Sequence, residues 1–231
     1  MDSIDQGFSE AFRLLAHGDP EVMGILWLSL WVSGAATLVA MAVGVPAGVF
    51  LGLRRFPGHT LFVTLVNAGM GLPPVVVGLL VFLLLARAGP LGGLQLLYTP
   101  AAMVIAQVII ATPVVVGVTM AGIQGLDPRL PLQVLSLGAS RAQLYLTLVR
   151  EARVTLLAAL AAGFGSIISE VGAVMLVGGN IRGQTRVLTT AIVLETRQGH
   201  FARAIALAVV LLGIALVLNA VFTIVQQRRP R

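Results

Sequence analysis

Leu26–Leu53 reads LWLSLWVSGAATLVAMAVGVPAGVFLGL, without one charged side chain. About 20 apolar residues suffice for a helix to cross the hydrocarbon core of a bilayer. Helix is the form such a segment takes, because it satisfies its own backbone groups where there is no water. The run predicts a spanning helix, and four others follow it: Thr60–Leu85, Pro100–Ile123, Val154–Val177 and Ala204–Val225. No internal repeat relates them. The expected fold class is an all-α membrane protein with five transmembrane helices in one domain over 26–227. An N-terminal segment, 1–25, precedes it and a short tail, 228–231, follows.

Composition points the same way and excludes several kinds of chemistry. Of 231 residues, 58% are apolar and 10% charged, with mean hydropathy +0.98. A soluble domain carries about 25% charged residues, so this chain could not cover a water-facing surface. All 15 basic residues are Arg, which removes a phosphate-binding loop with its Lys and any Schiff-base Lys. The absence of Cys removes thiol chemistry, disulfides and Cys-ligated metals. His17, His59 and His200 lie far apart in polar connections, so no metal site or cofactor is expected. The net charge of +6 does not point to nucleic acid, because the Arg residues fall between apolar runs rather than in a stripe.

Those Arg residues set an expected orientation. Arg54, Arg55, Arg129, Arg141, Arg150, Arg153, Arg228, Arg229 and Arg231 fall on one side; Arg13, Arg87, Arg182, Arg186, Arg197 and Arg203 fall on the other. Basic residues in short loops are retained in the cytoplasm, which places the N-terminus outside and the C-terminus inside. Met1–Glu10 lacks the basic start of a cleaved signal peptide, so no processing is expected. Ile4, Phe8, Phe12 and Leu15 recur at helical spacing, predicting a short interfacial helix on the outer leaflet. Trp27 and Trp31 suit the interface at the start of the first span.

Within the spans, a few residues break the apolar pattern. Ala36, Ala40, Gly44, Gly48 and Gly52 put a small residue every four positions on one face of the first span, which lets another helix approach closely. In the second, Gly71-Leu72-Pro73-Pro74 deletes amide donors. Either the helix kinks there, or it breaks against a protein-lined or water-filled interior. Pro113 in the third reads as a kink. The fourth carries Ala159, Ala162, Ser166, Ser169, Glu170 and Ala173 as a small, partly polar stripe, and Glu170 is the one carboxylate inside any expected span. A carboxylate at that depth requires a partner. It is either a pathway or gate position, or a structural anchor of the outer helix end, held by Asn180, Arg182 or loop amides. An enzyme would need a second titratable group beside it, and no other span supplies one.

Two connections stand out. From Asp127 to Arg153 the chain is too polar to span and reads as two short helices divided by a turn at Gly138, with Leu132, Leu135, Leu144 and Leu148 as apolar contacts. This is either a compact cytoplasmic knob suited to a groove on a soluble partner or a plain connection. Outside, Val187–Leu194 is too short to span, and Arg182, Arg186 and Arg197 around it either attract an anion or are solvated.

The stretch Gly138-Ala139-Ser140-Arg141, ending in Leu148, resembles the signature loop of ABC importer permeases. Leu132, Gln133 and Val134 stand where that loop has Glu-Ala-Ala, and Arg150-Glu151 replaces its Leu-Pro. Ile168–Met175, Gly178-Gly179-Asn180-Ile181, Thr185–Ile192 and Gly71–Gly78 resemble the molybdate, sulfate and tungstate permeases, most of all the tungstate type, from Leu26 to Gln227. The resemblance implies a type I importer fold and no enzyme activity in this chain. It also implies a homodimer forming the path for a tetrahedral oxyanion in the cell membrane, a cytoplasmic ATPase dimer coupled at the loop 127–153, and an external oxyanion-binding protein. Gly138, Ala139, Ser140 and Arg141 are then the coupling residues, and Pro73, Pro74, Ser166, Ser169, Glu170 and Asn180 the pathway or gate candidates. A molybdate or sulfate permease is the nearest alternative; a non-transport intramembrane scaffold is the alternative of a different class.

Overall fold

The computed structural model describes Ser9, Arg13 and residues 17–227. The expected interfacial helix on Ile4, Phe8, Phe12 and Leu15 and the tail 228–231 lie outside the described residues. Those described form helices α1 (Pro20–Leu53), α2 (His59–Met70), α3 (Pro74–Leu85), α4 (Pro100–Gln124), α5 (Leu130–Ser136), α6 (Arg141–Glu151), α7 (Arg153–Ile168), α8 (Gly172–Gly178), α9 (Leu188–Arg197) and α10 (Phe201–Gln227). Among them α1, α4 and α10 are long and apolar enough to cross a membrane unaided.

The first helix starts before the apolar run, at Pro20. The Asp19 carboxylate accepts from the Glu21 and Val22 amides at 3.0 and 3.1 Å, and Pro20 follows at the first helical position, where its missing N–H is no loss. The small face of α1 packs on α4. A methyl group added at Gly44 would lie 2.8 Å from Val115 Cγ1, at Gly48 2.6 Å from Thr119 Cβ, and at Gly52 2.9 Å from Ile123 Cβ. Each step along α1 is matched by an equal step in the same direction along α4, so the two helices run parallel.

Parallel neighbours require the chain to recross between them. The apolar segment available is α2 with α3, bent by 101°. The pair is therefore a broken span and not a re-entrant loop, and the double proline is its break. Pro73 is extended, Pro74 begins α3, and α2 ends at Gly71. Pro113, by contrast, lies inside an unbroken α4.

The return from α4 runs antiparallel to it. Gly122 lies against Thr155, Gly163 against Val115, and Gly178 against Met103. Here the expected continuous helix 154–177 is corrected: α7 stops at Ile168, and α8 restarts at Gly172. At 16 residues α7 rises about 24 Å, short of the ~30 Å core, and α8 continues the crossing. The last helix returns beside the first, since Val22 and Ile25 cluster with Leu207 and Val210. The described bundle thus has five crossings, two of them broken. Its Pro20 end gathers the 86–99 loop, the 179–187 loop and α9; its Leu53 end gathers α5 and α6.

Candidate functional site

At the Leu53 end, α5 and α6 form the expected knob. Gly138 has φ +82°, a left-handed conformation that a β-branched residue adopts at real cost. Two residues on, Ser140 caps α6 reciprocally: its Oγ accepts from the Gln143 amide at 3.3 Å, and Gln143 Oε1 accepts from the Ser140 amide at 2.7 Å, a capping box. Leu144 and Leu148 anchor α6 against Val49, Ile123 and Ala152. The other two leucines are corrected. Leu132 and Leu135 are exposed and add nothing to that anchor, and Leu137 beside them is 87% exposed. Gly138, Ser140 and Arg141 are exposed as well, with Ala139 half-buried. The knob therefore presents its turn and an apolar patch outward from a buried footing.

The second region is the pair of breaks, which lie side by side. Cβ atoms built at Gly78 and Gly172 would collide with Ala173 Cα and Val75 Cγ2, so α3 and α8 cross in direct contact. Pro73 and Ser169 are exposed on the single chain; Pro74, Ser166 and Glu170 are half-buried. Asn180 is not brought to the breaks. It follows the far end of α8 at φ +52° and donates through Nδ2 to the Thr190 carbonyl at 3.4 Å.

The fourth-span break is stabilised by side chains. Ser169 Oγ donates to the Gly165 carbonyl at 3.1 Å, and Thr189 Oγ1 donates to the Glu170 carbonyl at 3.0 Å. Glu170 Oε1 accepts the Ala173 amide at 3.0 Å. The carboxylate thus caps the start of α8, and neither Asn180 nor Arg182 is its partner. Sequence reasoning missed Gln107, whose Nε2 donates to the Ile167 carbonyl at 3.1 Å from the middle of α4. Its signal was available as the lone amide of the third span. Glu170→Gln keeps a capping oxygen and should leave the melting temperature of the purified protein unchanged. Glu170→Ala should cost about 0.5–2 kcal/mol, the usual loss on removing a cap, read as a lower melting temperature.

Three outer arginines, Arg182, Arg186 and Arg203, meet an acid, while Arg197 is exposed. Glu21 accepts from Arg182 Nη2 at 2.6 Å and from Arg203 Nη2 at 3.2 Å, with Arg186 at 3.5 Å. The Glu21 carboxylate holds the Arg182 guanidinium above its ordinary pKa. Glu195, buried, takes His200 Nδ1 at 2.9 Å. No group of three or more His, Cys, Asp or Glu able to hold a metal exists among the described residues.

A five-crossing bundle with broken second and fourth spans and a capped two-helix knob at one end has the architecture of a type I ABC importer permease. An inward-facing structure of the MetNI methionine ABC transporter has the same fold, with TM-score 0.70 at 16% identity over 91% of this chain and 96% of that one. Residues 44–230 match the family described as "Binding-protein-dependent transport system inner membrane component", and the chain belongs to that family, a multi-pass inner-membrane permease without enzyme activity of its own. It is 42% identical over 98% of its length, and 100% of the relative's, to the tungstate uptake system permease protein TupB of Peptoclostridium acidaminophilum. The protein of that name from Campylobacter jejuni is 37% identical over 95% of this chain and 92% of its own.

Proposed function

We propose that this permease imports a tetrahedral oxyanion, tungstate first, by alternating access. Two copies enclose the path, a cytoplasmic ATPase dimer docks on the knob, and an external binding protein delivers the anion at the Pro20 end. The observation that carries the substrate is the 42% identity to a tungstate uptake permease along the whole of both chains. Molybdate or sulfate, close in shape and charge, is the competing cargo. In this reading the Leu53 end faces the cytoplasm, since Arg54, Arg55, Arg129, Arg141, Arg150 and Arg153 gather there.

The path runs where the two broken spans meet, because irregular backbone at membrane depth is tolerated where it is buried in protein or lines a water-filled cavity. None of the twelve residues of α2 is buried within the chain, and Pro73 and Ser169 are exposed on the single chain, as residues facing a second copy across a path would be. Glu170 acts in gating or assembly, since a carboxylate repels an oxyanion in low dielectric. The native absence of Cys makes the test clean. In the assembled transporter, Ser169→Cys should react with a water-soluble thiol reagent in at least one nucleotide state, and Ser29→Cys, buried, in none. Protection of Ser169→Cys in every state removes the break from the path.

A further inference from the structure

Beside the break, the polar Ser29, Ser33, Gln107, Glu170 and Thr189, among three apolar side chains, wall a small cavity of about 10 Å³. A cavity of that size holds about one water, provided polar groups line it. Gln107 is 3% exposed. Its Nε2 is committed to the Ile167 carbonyl, while its Oε1 is buried without a protein partner. Leaving a buried acceptor unpaired is costly, and more so at membrane depth, where no bulk water can repair it.

The neighbouring groups are complementary. Glu170 accepts the Ala173 amide through one oxygen and has lone pairs to spare. The Ser29 hydroxyl is already committed, donating to the Ile25 carbonyl at 2.7 Å and accepting the Leu188 amide at 2.8 Å. The Ser33 hydroxyl can donate or accept, so the site still holds more acceptors than donors and suits an occupant that donates two hydrogens. Its few oxygens fall short of the six to eight that a calcium ion takes. We propose that one ordered water fills this cavity, donating to Gln107 Oε1 and the Glu170 carboxylate, and that Gln107 is the positioning residue of the α7–α8 break.

Gln107 then fixes both sides of the break from an unbroken helix. It holds the last turn of α7 directly through Ile167 and the cap of α8 through the water and Glu170. This rests on the permease reading for its transport consequence but not for the water, so two measurements separate the failures. A structure of the assembled transporter that resolves ordered waters should place one about 2.7–3.2 Å from Gln107 Oε1. A well-resolved empty cavity, or Oε1 turned onto a protein donor, overturns the proposal.

The second measurement uses Gln107→Met, which keeps the length and removes both hydrogen bonds. Anion transported per ATP hydrolysed should fall about tenfold, the scale set by unpairing one buried group, with assembly retained. A variant that assembles and transports with native coupling overturns the positioning role, and so does one whose only defect is lower yield of a normally coupled complex. Should transport depend on sodium in the native protein and lose that dependence in Gln107→Met, the occupant is a cation and the water is refuted.

Discussion

Gly48→Ala is expected to destabilise the permease by about 1–3 kcal/mol, the scale of overpacking a filled interface, although alanine is the better helix former. The added methyl would sit 2.6 Å from Thr119 Cβ and 2.8 Å from the Val116 carbonyl oxygen. One of those atoms is backbone, and the helix carrying it packs along α1 over several turns. Relief therefore requires the two helices to separate, which also loosens the contacts at Gly44 and Gly52. Gly34→Ala on the same helix is the control: a Cβ there meets nothing within 4 Å, and the change should be neutral or stabilising. Melting temperatures of the two purified variants in one detergent check this. Equal behaviour would mean that α1 and α4 do not pack through the small face.

The second large effect falls on coupling rather than folding. Gly138→Val should leave the membrane bundle intact, because Gly138 is exposed and a Cβ there would meet nothing within 4 Å. Its φ of +82° is what valine resists, at about 1–2 kcal/mol. Moving that residue out of the left-handed region swings α5 relative to α6 and displaces the apolar patch around Leu137. Co-purification of the ATPase, and ATP hydrolysis stimulated by the loaded binding protein, should fall about tenfold or more, the factor that corresponds to that energy. Gly138→Asn, which tolerates the conformation, should retain most of both. Native coupling in Gly138→Val would show that the turn does not carry the ATPase contact.

Both positions were legible in the sequence for local reasons. A small residue every fourth position reports a close helix contact without naming the partner. A glycine inside a polar, too-short-to-span stretch reports a turn between two short helices, and the Ser140–Gln143 cap that starts the second was added by the structure. Likewise Pro73-Pro74 announces an interruption, because two missing donors cannot be hidden in lipid, and the structure makes it a break rather than a kink. The break after Ile168 was not legible, and the reason is physical. No proline marks it, and Ser166, Ser169 and Glu170 read as a polar stripe along one continuous helix rather than as its end. What makes the break tolerable is supplied from elsewhere in the chain: Gln107 lies on another helix, and Thr189 lies beyond the outer loop. The Glu21 cluster has the same character, since Arg182 meets it across the sequence only once α1 and the outer loop are folded together. Leu132 and Leu135 were misassigned for a related reason. Helical spacing identifies an apolar face, but whether it is covered by this chain or by another is decided by tertiary placement.

The proposed function makes this chain the path for an oxyanion driven by a separate ATPase. The most direct measurement is uptake of labelled tungstate into proteoliposomes holding the permease and the ATPase, with the external binding protein outside and ATP enclosed. Accumulation should require ATP and all three proteins, and excess unlabelled tungstate should suppress it more strongly than equal molybdate or sulfate. Stronger suppression by molybdate or sulfate would transfer the assignment to that anion. No ATP-dependent accumulation of any of the three by an intact, ATP-hydrolysing complex would contradict the account.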